Sequence, residues 1–439
     1  MSLRLDRGTA SDSRKLTVGQ VFDQLLGPDA ALKVTAYDGS VSGSANAPYG
    51  FHLKTPRGLS YLLTAPGELG LARAYVAGDL DVSGTHPGDP YDLLRHLEDQ
   101  VSMRRPGPTG LVRLVRGVGV TGLRPPEPPP QEVTPQWRRA LRGLRHSKTR
   151  DADAIHHHYD VSNTFYEWVL GPSMTYTCAC YPHADATLEE AQANKYDLVA
   201  RKIGLQPGMR LLDVGCGWGG MVRHAARHFG VKALGVTLSK EQAAWAQAAI
   251  EREGLSELAE VRHLDYRDVP EGDFDAVSSI GLTEHIGVRN YASYFTFLKS
   301  KLRPGGRILN HCITRQDNQH DGITRGGFID RYVFPDGELA GSGHIITVMQ
   351  DVGLEVKHEE NLREHYALTL RDWCRNLRDH WDEAVAEVGE GTARVWGLYM
   401  AGSRLSFERN RIQLHQVLGV NTPSSGDAAF PLRPDWGSL

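Results

Sequence analysis

The chain has 439 residues, enough for two or three domains at roughly 150 residues each. Its 40% hydrophobic and 23% charged residues exclude a wholly disordered chain. Against 53 Asp+Glu, the 49 Lys+Arg leave a net charge of −4, which gives no support to a global nucleic-acid binder. No run approaches the ~20 apolar residues of a membrane-spanning helix. Residues 1–15 mix charges and lack an apolar stretch, so no signal peptide is expected. The five cysteines, Cys178, Cys180, Cys216, Cys312 and Cys374, are too sparse and odd in number for a disulfide framework. They fit reduced thiols of a cytoplasmic protein.

In chain order, Val18, Val21, Phe22, Leu25 and Leu26 fall at helical spacing within 16–26. Residues 32–36 alternate like a strand and run into an Asp38-Gly39 turn. Thr64-Ala65-Pro66-Gly67 punctuates the chain before a helix through Leu71, Tyr75 and Val76. This first part, 1–124, reads as a smaller α+β domain with no catalytic constellation. Arg124-Pro125-Pro126-Glu127-Pro128-Pro129-Pro130 opens a semi-rigid linker, since consecutive prolines favour extended polyproline.

The segment 125–150 ends in a basic amphipathic helix. Its last 15 residues hold six Lys/Arg and no acid, with Trp137, Leu141 and Leu144 on one face. Such a helix suits an anionic membrane surface; the alternative is an interdomain strut whose arginines pair elsewhere.

Residues 151–439 alternate helices and short apolar runs. Helices are expected over 188–203, 221–229 and 240–252, and strands over 210–214, 233–237, 274–280 and 306–311. That alternation argues an α/β domain with a mostly parallel sheet.

Asp213-Val214-Gly215-Cys216-Gly217-Trp218-Gly219-Gly220 ends the first of these strands and opens a helix, where glycines let the backbone approach a ligand. The Gly-x-Gly-x-Gly spacing differs from the dinucleotide pattern Gly-x-Gly-x-x-Gly. Asp213, two residues before the first glycine, suits the amino-acid end of S-adenosylmethionine better than a pyrophosphate. A glycine turn serving packing alone is the alternative. Further along, Thr237 and Gln242 are the hydrogen-bonders after the second strand, and Asp265 in His263-Leu264-Asp265-Tyr266 can accept from an adenine amino group. Neither His156-His157-His158 nor the His224/His228 pair has an acid or cysteine at ligand spacing, so no metal is assigned.

From His157 onward the chain resembles the cyclopropane-fatty-acyl-phospholipid synthases and mycolic acid methyltransferases. The motifs that carry this are His158-Tyr159-Asp160, Met174-Thr175-Tyr176-Thr177-Cys178-Ala179, the loop after Asp213, Gly235-Val236-Thr237-Leu238-Ser239, Glu284-His285-Ile286-Gly287 and Tyr332-Val333-Phe334-Pro335-Asp336-Gly337. Residues 67–78 also resemble the N-terminal domain of long, two-domain members that act on phospholipids.

The resemblance implies a class I, Rossmann-like S-adenosylmethionine-dependent methyltransferase domain. It implies bicarbonate as general base, held by Cys178, Glu284, His311, Tyr366 and the backbone of Ile313. Tyr176, Thr177, Gly215, Cys216, Gly217, Trp218, Gly219, Thr237, Gln242, Asp265, Tyr266 and Ile280, with Asp213, fall on cofactor-contacting positions.

The implied reaction adds one carbon to the double bond of a phospholipid acyl chain, giving a cyclopropane. The alternative product is a methylene branch, as in the actinobacterial 10-methylene-stearate synthase branch, with a partner reductase to saturate it. A small anion can take the final proton without being alkylated as a carboxylate would be, and Tyr332 and Phe334 are candidates to stabilise a carbocation. Cytoplasmic, peripheral placement at the inner face of the membrane follows, with a homodimer as the candidate assembly and no nucleic-acid partner.

Two positions depart from the family pattern. Ser403 stands where many members have cysteine, and Gly281-Leu282-Thr283 replaces bulkier residues before Glu284. A methyltransferase on a soluble small molecule is the alternative of another class, and a catalytically dead lipid-binding protein a third.

Overall fold

The computed structural model describes residues 16–102, 124–133, 162–319, 323–335 and 337–437. The basic helix, the three consecutive histidines, His158-Tyr159-Asp160 and Asp336 lie outside them. Two compact units divide the chain, 1–130 and 131–439. The hydroxyl of Tyr61 donates to the carbonyl of Glu127, which ties the proline run to the first unit.

That first unit has a four-stranded sheet in the order β2-β1-β3-β4, formed by β1 (Lys33–Ala36), β2 (Val41–Ser42), β3 (Gly50–Leu53) and β4 (Leu80–Ser83). Its helices are α1 (Val18–Leu26), α2 (Pro56–Thr64), α3 (Glu68–Val76) and α4 (Tyr91–Gln100). Helix α1 starts two residues later than its apolar spacing predicts, because Thr17 and Gln20 form a capping box.

In the second unit, α5 (Asn163–Leu170) precedes α6 (Leu188–Ile203), β5 (Arg210–Val214), α7 (Gly220–Phe229), β6 (Lys232–Thr237), α8 (Lys240–Arg252), β7 (Ala259–His263) and β8 (Phe274–Ile280). Then come α9 (Thr283–Ile286), α10 (Tyr291–Lys301), β9 (Leu302–Arg315), α11 (Ser342–Asp351), β10 (Glu355–Asn361), α12 (Arg363–Asp379), α13 (Trp381–Val388), α14 (Glu390–Glu408) and β11 (Ile412–Val420). The seven strands lie in the order β10-β11-β9-β8-β5-β6-β7. Strands β9, β8, β5, β6 and β7 are parallel, and β11 runs antiparallel to both its neighbours.

Parallel strands covered on both faces read as continuous apolar runs, and β5 shows why. Leu211 packs with α6, α7 and α8 on one face, while Leu212 and Val214 pack with α10 and α11 on the other. Strand β9 extends well past the expected 306–311, because β11 pairs with it from Arg307 to Arg315. This order fixes where a ligand can sit. From β5 the chain moves one way to β6, and β8 lies on the other side, so a crevice opens at the carboxyl ends of β5 and β8.

Candidate active site

Beyond Val214 the backbone turns through Gly215 (φ 70°), Gly217 (φ 55°) and Gly219 (φ 72°) into α7. The amides of Gly215 and Cys216 both donate to the carbonyl of Val236, at 2.9 and 3.0 Å, which clamps the loop onto β6. A Cβ on Gly215 would lie 3.1 Å from the Leu282 side chain, whereas one on Gly217 would meet nothing within 4 Å. The loop is therefore closed toward Leu282 and open at Gly217. Trp218 does not face that opening: its indole donates to Asn163 at 2.9 Å and packs on Tyr166. The thiol of Cys216 lies where a side chain on Gly235 would stand.

At the foot of the loop Asp213 is buried and accepts from Ser278 Oγ at 2.6 Å. Burial pushes its carboxyl up to about 7, against the opposing pull of Ser278 and the charge of Lys195. A cationic amine seated here would draw Asp213 into its ionised form. Affinity for S-adenosylmethionine should therefore weaken by up to about tenfold per unit as pH falls below 7. Calorimetric titration of the wild type against Asp213→Asn checks this, with a flat profile expected for the variant.

Thr237 and Gln242 meet at the end of β6, where the threonine hydroxyl donates to the glutamine Oε1 at 2.9 Å. Ser239 caps α8 beside them. After β7, Asp265 Oδ2 accepts from Arg267 at 2.6 Å and Oδ1 accepts from the same guanidinium at 2.8 Å. An adenine amino group would have to compete with that arginine. Tyr266 packs edge-on against Tyr294 and Phe297. Ile280 closes β8 directly opposite His311.

Of the other predicted residues, Cys178, His311 and Tyr366 are buried, and Glu284 and Ile313 are partly buried. His311 and Ile313, two apart on β9, share a face. Glu284, on α9, accepts from the Ile313 amide at 2.7 Å. The Ile313 N–H is thus taken by Glu284, so the backbone part implied for Ile313 would fall to its carbonyl. The Glu284 carboxylate is directed at β9. Cys178 lies with its sulfur 3.9 Å from the Leu362 carbonyl, the same carbonyl to which the Tyr366 amide donates at 3.2 Å.

The electrostatics of these residues are set by burial. Glu284 is pushed up to about 7, and His311 is held well below the usual histidine range by burial and by the charges of Lys195 and Lys202. Cys178 is raised well above the usual thiol range, so it is no thiolate nucleophile. Glu284 Oε2 and His311 Nε2 are buried with no hydrogen-bond partner among the described residues. Orphaned buried polar atoms are costly, and an acceptor and a neutral histidine are groups that a small anion carrying its own hydroxyl, such as bicarbonate, would use.

Aromatic rings lie close by. Tyr176 packs against Tyr166, Trp373 and Trp396, with centroids 6.0, 5.4 and 5.7 Å away, and its hydroxyl donates to that of Tyr399 at 3.0 Å. Phe334 joins this group through Tyr399, at 5.6 Å. Tyr332 packs on Phe328, and its hydroxyl donates to Glu132 at 3.3 Å. Thr283 spends its hydroxyl on Asn310 inside the core. Ser403 is half-buried on α14.

Sequence reasoning missed Lys195. Helix α6 buries it completely, and its ammonium donates to Thr177 Oγ1 at 3.0 Å. Its charge acts on Asp213, Cys178 and His311 together. A signal was present: Lys195 and Lys202, seven apart, both fall on the buried stripe of α6 with Leu188, Ala191, Val199 and Ile203. Charges on the apolar stripe of an amphipathic helix have a partner or a task.

Sheet order, glycine loop and a buried acid at its foot define a class I S-adenosylmethionine-dependent methyltransferase. The sequence profile of the family described as mycolic acid cyclopropane synthetase matches residues 146–417, and the chain belongs to that family. A probable fatty acid methyltransferase of Mycobacterium tuberculosis is 66% identical over 405 residues, 92% of this chain and 94% of the relative. Another of the same description from Pseudomonas putida is 46% identical over 289 residues, 65% of this chain and 73% of the relative. Among solved structures, the mycolic acid cyclopropane synthase CmaA1 complexed with SAH and CTAB aligns at TM-score 0.57 and 32% identity. It covers 61% of this chain and 98% of that one.

Proposed function

We propose that this methyltransferase moves one carbon from S-adenosylmethionine to the double bond of an unsaturated acyl chain of a membrane phospholipid, with bicarbonate as base. The alkene carbon bonds to the methyl carbon as the S–CH3 bond breaks, S-adenosylhomocysteine leaves, and the neighbouring carbon becomes cationic. Loss of a proton from the new methyl group closes a cyclopropane with the electrons of that C–H bond. Bound bicarbonate supplies the base for this proton. Glu284 and His311 would hold it through Oε2 and Nε2, with Tyr366, Cys178 and the Ile313 carbonyl around it. Tyr176, Trp373, Trp396 and Tyr399 offer ring faces to a cation and keep water away from it.

One observation carries this reading: Glu284 Oε2 and His311 Nε2 are each buried without a hydrogen-bond partner among the described residues, yet Cys178 is held as a neutral thiol. An alkene needs no deprotonation before it attacks, so the chemistry calls for a base after transfer and not a nucleophile. The solved relative bound to SAH and CTAB, a long-chain ammonium amphiphile, supports a lipid-like acceptor beside the donor.

A methylene branch is the second reading, favoured by the 66% identical relative being described as a fatty acid methyltransferase. A hydride shift before proton loss gives it, and a partner reductase would saturate it. Among the described residues no helix is long and apolar enough to cross a membrane. The reading has the enzyme act peripherally at the cytoplasmic face, drawn there by the basic segment before residue 150, with a homodimer as its candidate assembly.

Mass analysis of lipids from oleate-fed cells expressing the protein decides the product: a gain of 14 mass units (CH2; about 14) in phospholipid acyl chains is expected in either case, and ring or branch follows from fragmentation. Unchanged acyl chains would sink the proposal. Co-sedimentation with anionic liposomes that vanishes at high salt is expected too; its absence favours a soluble acceptor.

A further inference from the structure

His311 is the donor that the proposed function asks for at Nε2, but a neutral imidazole carries its hydrogen on one nitrogen only. Three neighbouring strands decide which. In register, His311 on β9 lies opposite Gln416 on β11, and Gln416 lies opposite Glu360 on β10. Directly opposed residues share a face of a sheet, so the three side chains stand in one row across it. Lys202 comes down onto the row from α6.

Each member of the row fixes the next. Lys202 is fully buried, and its ammonium forms an ion pair with Glu360. The same ammonium donates to Gln416 Oε1 at 2.7 Å. An ammonium has donors and no acceptor, so the Gln416 oxygen must face it and the amide nitrogen must face the other way. That nitrogen lies 3.2 Å from His311 Nδ1. An amide NH2 only donates, so Nδ1 must accept, and the ring hydrogen is left on Nε2. Nε2 is the buried atom with no partner.

We infer that Lys202 and Gln416 are positioning residues that lock His311 in its Nε2–H tautomer and aim that hydrogen at the anion. Neither has a hydrogen bond to Glu284 among the described residues, and Gln416 is buried on β11 between His415 and Val417. A polar ladder there without a task would be replaceable by apolar residues at no loss. This inference rests on the proposed part of His311, but its test does not.

The test uses full-length protein labelled with 15N on histidine. Long-range proton–nitrogen correlation distinguishes the hydrogen-bearing nitrogen from the bare one, and His311→Asn identifies the signals. In the wild type at pH 7.5 (about 7.5, where a neutral ring is expected), Nε2 should be the hydrogen-bearing nitrogen and Nδ1 the bare one.

Gln416→Glu keeps the shape and the bond to Lys202 but presents a carboxylate to Nδ1. The hydrogen should then move to Nδ1, and kcat should fall on the order of 100-fold with the KM for S-adenosylmethionine unchanged. Gln416→Met, of similar volume and without charge, should give a mixture of tautomers and an intermediate rate. Hydrogen on Nδ1 in the wild type, or on Nε2 in Gln416→Glu, would overturn the inference. If the tautomer flips and turnover stays, the inference stands and the part given to His311 in the proposed function falls.

Discussion

Replacing Glu284 with glutamine should lower kcat roughly 1000-fold while the affinity for S-adenosylmethionine stays within about threefold, a loss in the range of a missing general-base assembly. The direction follows from one hydrogen bond. The Ile313 amide must have an acceptor, and it takes Glu284 Oε1 at 2.7 Å. In the variant the amide oxygen therefore turns to Ile313, and the NH2 group is left where Oε2 stood. An acceptor has become a donor, and an anion that presents a hydroxyl there meets hydrogen against hydrogen.

Acidity gives a second sign. Burial holds Glu284 at about 7, so in the wild type kcat should climb as pH rises through 7 and the carboxylate ionises. The glutamine variant should lack that limb. Single-turnover measurement with donor in excess separates this from the Asp213 effect, which acts on affinity and not on the step. A variant that keeps more than about a tenth of the wild-type turnover would remove Glu284 from the base assembly.

Much of this was legible in the sequence, and the reasons are physical. Strands β5, β6 and β8 are buried on both faces, so each is rich in apolar and small residues and its limits could be read nearly to the residue. The loop at Gly215–Gly219 was legible because left-handed backbone demands glycine, and all three of its odd-numbered positions take it. What the sequence concealed is side-chain partnership across long separations. Gln416 lies 105 residues from His311 and reads as one polar residue in a strand; only the register of β9 with β11 sets them face to face.

The Ile313 amide shows the same: its motif position implies a backbone group near the anion, but nothing in the local sequence says that Glu284, 29 residues earlier, takes its N–H. The aromatic group shows the limit again. Tyr332 and Phe334 lie two apart in sequence at the end of a π-helical turn over Ile329–Val333, and Phe334 packs on Tyr399 while the Tyr332 hydroxyl donates to Glu132. The rings that make the group, Tyr166, Tyr176, Trp373, Trp396 and Tyr399, come from α5, the strap before α6, α12 and α14. No window of sequence holds them together.

The largest effect on donor binding is expected from Gly217→Val. A left-handed backbone costs an L residue about 1–2 kcal/mol, somewhat more when it is β-branched, and Gly217 has φ 55°. Gly254, just past α8, supplies the control: its φ is 68°, and a Cβ there also meets nothing within 4 Å. Both valine variants should therefore lose similar thermal stability, since neither clashes with protein. They should part on binding.

The space open at Gly217 is where the loop can receive a ligand against its backbone, so three added carbon atoms take ligand volume. Affinity for S-adenosylmethionine should fall at least about 100-fold in Gly217→Val, equivalent to ~2.7 kcal/mol, and stay within about twofold in Gly254→Val. Calorimetric titration with paired melting curves measures both terms. Equal affinities in the two variants, at equal stability loss, would mean that the donor does not lie against this loop, and the assignment of every residue placed around it by sheet position would go with it.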